Sequence, residues 1–294
     1  MLPMTKAEKS LDFPSGARFA VIAGGGALPA DVANALSANG FSPFIFRVDG
    51  EVTADFSQQA GTAITLEDLA GLFSHLKQQS ITHLVMAGSI SRRPDWRAVK
   101  LSPGLVPVVL RVIRALASGD DTLLGTVIRL LEKRGVTVVG VQHILPEFVA
   151  AIGYLGKTQA GKTEHATAIT AFSAARAIGA LDAGQAAIAI GKRVVALEGA
   201  EGTAAMLARI EALKAQGRLK AGRGGVLAKC RKPGQDERAD LPTIGPDTIQ
   251  AAADAGLAGI IIEAGGTLIL DAKQTVQAAD QNGIFILGWR EDAS

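Results

Sequence analysis

The densest chemistry in the chain lies in GGVLAKCRKPGQDERADLPTIGP, residues 224–246, where seven of the twelve residues from Lys229 to Asp240 are charged. An apolar, strand-like run precedes them. Pro233-Gly234 breaks any regular element, and Pro242 disfavours a helical Leu241, so the segment between is expected to be extended. In an extended chain alternate side chains share a side, which would bring Asp236, Arg238 and Asp240 together. Two carboxylates flanking a guanidinium, downstream of Lys229 and Lys232, suit metal-assisted phosphoryl chemistry. Carboxylate oxygens hold a hard cation such as Mg2+, cationic side chains neutralise phosphate charge in the transition state, and a carboxylate can orient the attacking water. The plainer alternative is a surface loop whose charges pair with one another.

Glycine-rich turns raise a second kind of chemistry. Gly24-Gly25-Gly26 follows the apolar run 18–23 and precedes a helical stretch, a geometry that offers backbone N–H groups and a positive helix end to an anion. The dinucleotide fingerprint needs a further glycine where Pro29 stands, which argues against hydride chemistry even though Asp49 lies where a ribose-binding acid would. A phosphate or nucleotide loop of another kind is favoured, with a plain tight turn as the alternative. GKTQAGKT, 156–163, matches the P-loop pattern literally. A true P-loop leaves a buried strand, whereas the preceding LPEFVAAIGYL looks helical, so a linker is favoured over an NTPase loop using Lys162.

Other candidates are more scattered. Ser89, Arg92 and Arg93 follow the third strand, at the carboxyl edge where open α/β sheets bind ligands; they are read as an anion contact or as a solvated loop. Asp121, after Gly119-Asp120, is expected to cap a helix, the alternative being a polar crevice wall. In LEGAEGTAAML, 197–207, Glu198 ends a strand, capping explains Thr203, and Glu201 beside Gly202 at the helix start could hold a cation. His75, His83, His143 and His165 lack paired metal-ligand spacing. The basic amphipathic stripe VVLRVIRAL, 108–116, is read as a packed helix, with an acyl groove or a bilayer-facing surface as the alternative.

The elements that must position these residues alternate. Strands are expected at 18–23, 41–48, 82–88 and 136–141, and helices after Gly26 and at 66–80, 106–119 and 122–135, the last stopped by Gly135. That alternation implies βαβ units and a parallel, doubly wound sheet. A different rhythm follows: a helix at 164–179, the paired strands QAAIAI and GKRVVALE, a helix at 203–215, the strand 225–229, a helix at 246–256, two strands around Gly265-Gly266, a short helix at 272–282 and a last strand at 283–289. The Gly- and Pro-rich stretch 146–163 is the expected boundary, giving a disordered lead-in at 1–16, one domain at 17–150 and a second at 151–294.

Composition narrows the class. Net charge is +2, from 30 basic and 28 acidic residues, with no basic tail, so a nucleic-acid partner is not expected. Aromatics are only 4%, so Ala, Val, Ile and Leu must build the core. Cys230 is the single cysteine, which rules out a disulfide within the chain and suits a reducing cytosol. The first residues lack the apolar core of a signal peptide, and no run of 18 apolar residues occurs. Peripheral contact with a membrane stays open.

VIAGGGALP (21–29), AGSISRRP (87–94), GDDTLL (119–124), VQHILPE (141–147), LDAGQA (181–186), VALEGAEGTAAML (195–207) and LAKCRKPGQDERADLPTIGPDTI (227–249) together resemble the UDP-2,3-diacylglucosamine pyrophosphatases of the LpxI type. The departures are small: DAGQ stands where DIGQ is usual, Ser89 replaces another polar residue, and the first 11 or so residues fall outside the pattern. The resemblance implies an α/β protein of two domains, a Rossmann-like parallel-sheet amino-terminal domain and a distinct α/β carboxy-terminal domain, with substrate between them. It implies Mg2+-dependent hydrolysis of a lipid-linked nucleotide sugar in lipid A synthesis, yielding UMP and 2,3-diacylglucosamine 1-phosphate (lipid X), with the attacked phosphorus left open. It places the work in the cytoplasm, with contact at the cytoplasmic face of the inner membrane and homo-oligomerisation both open. The family's essential aspartate falls on Asp236. Asp236 and Asp240 are the expected metal ligands or water-positioning groups, joined by Glu201 as a metal ligand, and Arg238 acts with Lys229 and Lys232 on the diphosphate charge. Gly24–Gly26, Ser89, Arg93 and Asp121, with Gly202, Thr203 and Gln235, complete the expected substrate-binding set. The competing classes are a non-catalytic nucleotide- or lipid-binding protein and a P-loop ATPase.

Overall fold

The computed structural model describes residues 11–92, 95, 120–220 and 222–291. The expected helix at 106–119, its basic stripe and Arg93 lie outside them. The chain divides into two compact units, Met1–Pro146 and Glu147–Ser294.

The first unit carries β1 (Phe19–Ala23), α1 (Leu28–Ala38), β2 (Phe44–Val48), β3 (Gly61–Ile64), α2 (Leu69–Gln78), β4 (His83–Ala87), α3 (Asp120–Glu132), β5 (Thr137–Val139) and the single turn α4 (Val141–Ile144). All neighbouring strands pair in parallel, in the order β3-β2-β1-β4-β5. Phe19, Ala20, Val21 and Ala23 of β1 are buried, the continuous burial that a parallel sheet covered on both faces demands. Pro29 starts α1, where its missing N–H costs no helical bond. Asp68 caps α2 through the Gly71 N–H at 2.8 Å. The order reverses between β1 and β4, so the loops after these strands flank the switch point where such sheets bind ligands.

Three expectations are corrected in this unit. Asp121 does not cap α3, because Asp120 before it is already helical. The strand β3 was not expected, since GTAI is short and only Ile64 of it is buried. Residues 11–16 are not wholly a loose lead-in: the Leu11 N–H donates to Asn39 Oδ1 at 3.2 Å, and the Phe13 ring stands edge-on to Phe19 at 5.0 Å. Burying that ring gives the segment a reason to dock.

The second unit carries β6 (Gly153–Tyr154), α5 (Lys162–Gly179), β7 (Ala186–Ile190), β8 (Arg193–Leu197), α6 (Gly202–Ala215), β9 (Val226–Lys229), β10 (Thr243–Ile244), α7 (Pro246–Asp254), β11 (Gly259–Glu263), β12 (Leu268–Ile269), α8 (Ala272–Gln281) and β13 (Phe285–Trp289). Six strands form a mixed sheet in the order β6-β13-β11-β9-β7-β8. β9, β11 and β13 run parallel at its centre, while β6, β7 and β8 pair antiparallel. Period-two alternation divides the core. Ile260 and Ile262 pack with Met206, Leu207 and Ile210 of α6 and with Ile249 and Ala252 of α7, whereas Ile261 packs with Ala168, Ala171, Phe172 and Ala175 of α5. Burying each isoleucine contributes roughly 1.5–3 kcal/mol, and the small alanine face lets α5 lie close to the sheet. The register aligns Lys229 with Ile262 and Glu263 with Trp289, and sets Ala186 opposite Lys229. One edge of this sheet therefore presents the ends of β9, β11 and β13, the start of β7 and the end of β8.

Candidate active site

Lys229 ends β9 at that edge and is only 7% exposed. Its Nζ donates to the Thr243 carbonyl at 2.9 Å, tying the end of the charged loop back to its start. Burial pulls the ammonium's pKa down, and the carboxylates of Glu198 and Asp240 pull it back up. Lys229 is thus a buried internal cation, not the diphosphate contact expected of it.

The loop that follows is not extended, which corrects the expected alternation of side chains. Lys232-Pro233-Gly234-Gln235 forms a turn closed by the Gln235 N–H on the Lys232 carbonyl at 3.1 Å. Gly234 has a φ of +80°, which fits a type II turn with proline leading. A second turn follows at once, closed by the Ala239 N–H on the Asp236 carbonyl at 3.0 Å. Asp236 builds it by accepting the Arg238 N–H at 3.1 Å, the local side-chain bond that lets aspartate favour turns over regular structure. Asp236 and Arg238 still meet, but through this turn: Nε donates at 2.8 Å and Nη2 at 2.7 Å to the two carboxylate oxygens. Asp240 is joined differently, through Gln235 Nε2 at 3.0 Å from its Oδ2. Gln235 is 9% exposed, and its Oε1 also accepts the Lys232 N–H at 3.0 Å, so one amide links both turns.

Partners from distant sequence hold this loop. Arg231 takes Glu263 through its backbone N–H at 3.0 Å and its Nε at 2.9 Å, 32 residues apart, and also pairs with Glu237. Lys232 Nζ donates to Asp182 Oδ1 at 2.6 Å, and Asp182 sits at a φ of +53°, a conformation uncommon for any residue but glycine. Glu198, after β8, is 8% exposed and accepts the Gln185 N–H at 2.9 Å and the Thr203 hydroxyl at 2.5 Å. Thr203 is therefore not a cap; it is the second residue of α6, after Gly202, and its hydroxyl turns back to Glu198. Glu198 was recognised only as a strand end, and Glu263, Asp182 and Gln185 were passed over. A carboxylate at the end of an otherwise apolar strand was the one local signal.

Glu201 does not join the other carboxylates, which corrects its assignment as a metal ligand. It pairs with Arg209 at 3.2 Å on the exposed side of α6, and among the described residues no three His, Cys, Asp or Glu side chains gather to hold a metal ion. Asp236 and Asp240 are hard oxygen donors from one loop, the one-or-two-carboxylate set that Mg2+ takes when phosphate oxygens and water complete its shell. Their chemistry fits such a cation. Cys230, which follows Lys229 in the chain, is buried, and that burial pushes its thiol up to about 12, so it is inert as a nucleophile.

In the first unit the glycine loop is built otherwise than expected. Its three N–H groups are all engaged within the fold: Gly24 with the Ala87 carbonyl at 2.9 Å, Gly25 with the Ser89 carbonyl at 2.8 Å and Gly26 with Thr53 Oγ1 at 3.1 Å. Ser89 returns its own N–H to the Gly25 carbonyl at 3.0 Å, so the loops after β1 and β4 bridge directly across the switch point. A Cβ on Gly24 would lie 2.4 Å from the Ser89 carbonyl oxygen. Gly24 serves close backbone approach and Gly26 a φ of +86°, and the engaged amides do not form a cradle for an anion.

The next loop is pinned by two acids that the sequence reading missed. Glu51 accepts the Ser91 N–H and hydroxyl, each at 2.9 Å, and the Ser91 N–H contributes most to holding its carboxyl below the usual range. Arg92 grips both oxygens of Glu67, at 2.5 and 3.2 Å, and this bond leads in lowering that carboxyl to about 2. Arg92 is thus an internal clamp.

The P-loop match fails on its context. It follows β6, a two-residue antiparallel strand at the sheet edge, and Asp280 Oδ1 takes the Lys157 N–H at 2.8 Å and the Thr158 N–H at 3.2 Å. A protein carboxylate holds the amides that a phosphate would need.

Among the described residues no helix is long and apolar enough to cross a membrane. The profile of the LpxI N-terminal domain matches residues 18–148, and that of the LpxI C-terminal domain matches residues 151–287. The UDP-2,3-diacylglucosamine pyrophosphatase LpxI of Caulobacter vibrioides is 38% identical over 272 residues, covering 92% of this chain and 97% of that protein.

Proposed function

The chain belongs to the LpxI family, and from that premise we propose that it hydrolyses the diphosphate of UDP-2,3-diacylglucosamine in lipid A biosynthesis. The observation that carries the proposal is the likeness over both domains, with 97% of a pyrophosphatase of that name covered. Water adds across one P–O bond of the diphosphate bridge, and the products are UMP and 2,3-diacylglucosamine 1-phosphate. Two acyl chains make the substrate amphiphilic, so the enzyme works at the cytoplasmic face of the inner membrane.

The turn 236–239 and Asp240 are the reaction's side of the protein. Asp236 and Asp240 would hold a divalent cation such as Mg2+, which when bound lowers the charge repulsion at the diphosphate. Arg238 offers a planar fork of donors that suits a phosphate as well as it suits Asp236. Exchanging one acceptor for the other costs little, because the pair is part-exposed, with Asp236 at 27% and Arg238 at 35%. Lys232, held by Asp182, adds a second cation beside the same turn. A carboxylate of the loop orients the attacking water and takes its proton.

The test is product analysis. Purified protein given UDP-2,3-diacylglucosamine and Mg2+ should release UMP and lipid X in equal amounts, seen by mass spectrometry. Intact substrate after prolonged incubation, with or without the metal, would reject the proposal.

A further inference from the structure

Glu198 is placed in no role by the reaction above, yet it is one of the most firmly held carboxylates in the second unit. Its oxygens accept the Gln185 N–H at 2.9 Å and the Thr203 hydroxyl at 2.5 Å, and only 8% of the residue is exposed. Gln185 in turn accepts the Cys230 N–H at 3.1 Å and precedes Ala186, the register partner of Lys229. The Glu198 N–H donates to the Ala186 carbonyl at 2.9 Å, so Glu198 and Lys229 flank the small Ala186 from the strands on either side of it. The one described hydrogen bond of Lys229 goes to the Thr243 carbonyl, three residues past Asp240, and the charges of Glu198 and Asp240 both favour its ammonium against burial. A buried ammonium needs a counter-charge. One carboxylate is fixed by the fold for that purpose, and the other belongs to the reactive loop.

We propose that Glu198 is a positioning residue: it neutralises Lys229 so that Asp240 stays turned to the cation and the diphosphate. Without Glu198, Lys229 would have Asp240 as its remaining carboxylate partner and would draw it into a tight pair. Removing both charges would release Asp240 again. This inference rests on the hydrolase function proposed above.

The experiment is a double-mutant cycle in the full chain with UDP-2,3-diacylglucosamine and Mg2+. E198Q keeps the shape and should lower kcat about 10- to 100-fold, the range seen when a group orienting a ligand is lost, with KM nearly unchanged. K229M should also lose activity, since Glu198 and Asp240 then repel one another. E198Q/K229M should be clearly more active than K229M, a non-additivity that independent sites do not show. A double variant no more active than K229M overturns the proposal, as does E198Q with wild-type kcat. Should E198Q fail to fold, the comparison of the double variant with K229M still decides. Should the wild type leave the substrate intact, the hydrolase function falls, and thermal unfolding of the same four proteins decides the pairing instead: stability losses that simply add would overturn it.

Discussion

The two units each bring a loop to a sheet edge, and the loops are held by different kinds of bond. In the first unit the Gly24 and Gly25 amides are held by main-chain carbonyls at the end of β4 and just after it, Ala87 and Ser89, and the Gly26 amide by the Thr53 hydroxyl. In the second, the Asp236–Arg238 pair and the Lys232–Asp182 pair are side-chain contacts. Buried main-chain donors are costly to leave unpaired, so the glycine bridge resists any ligand that would open it. Part-exposed ion pairs are worth little net, so the charged loop can trade internal partners for a diphosphate. A resting structure whose loop cations pair with nearby carboxylates is therefore compatible with a reactive site, whereas a glycine loop with engaged amides is a structural joint.

If this contrast is right, substitutions in the two loops fall into different measurements. Short of Asp236 itself, the largest effect is expected for D240N, which removes a reactive-loop carboxylate: kcat should fall on the order of 100-fold or more, with the thermal midpoint little changed. G24V should do the reverse, since its side chain would collide with the Ser89 carbonyl 2.4 Å from the Cβ position. It should destabilise the first unit by roughly 1–3 kcal/mol, read by chemical denaturation, and any surviving folded protein should turn over near the wild-type rate. Loss of activity without loss of stability in G24V would erase the distinction between the loops.

A smaller effect is expected at Glu67. Its carboxyl lies at about 2 in the folded chain, below its ordinary value of 4.5, chiefly because Arg92 donates to it. A depressed carboxylate stabilises the fold above its unfolded value and loses that contribution as pH falls. The wild type should thus lose a share of its stability between pH 4.5 and about 2 that E67Q does not lose, visible as convergence of their thermal midpoints in acid. The smallest effect is expected for K162A. Lys162 opens α5 in a loop whose amides face Asp280, so stability should change by less than about 0.5 kcal/mol and hydrolysis should be unaltered.

Much of this was legible residue by residue. The strands β9, β11 and β13 announce themselves as short apolar runs because both faces of the sheet are covered, and the charged loop is conspicuous by composition. β3 was not legible, because an exposed edge strand needs no apolar pattern. The loop's conformation was misread for a local reason: the prolines did break regular structure, but Pro-Gly and the Asp236 carboxylate each close a turn, and a turn can gather residues two apart as well as an extended chain can. The partners of the loop were not legible at all. Asp182 lies 50 residues from Lys232 and Glu263 lies 32 from Arg231, and only the sheet register brings them to one edge. For the glycine loop, the sequence displays three donors and hides their acceptors, Ala87, Ser89 and Thr53.

The most direct trial of the reactive loop is D236N, which keeps the size of the side chain and removes its charge. Phosphorus NMR of UDP-2,3-diacylglucosamine incubated with each protein would follow the diphosphate signals into two phosphomonoesters. Wild-type protein should convert the substrate fully, while D236N should leave the diphosphate intact and still bind the substrate. Conversion by D236N at the wild-type rate would contradict the assignment of the chemistry to this loop.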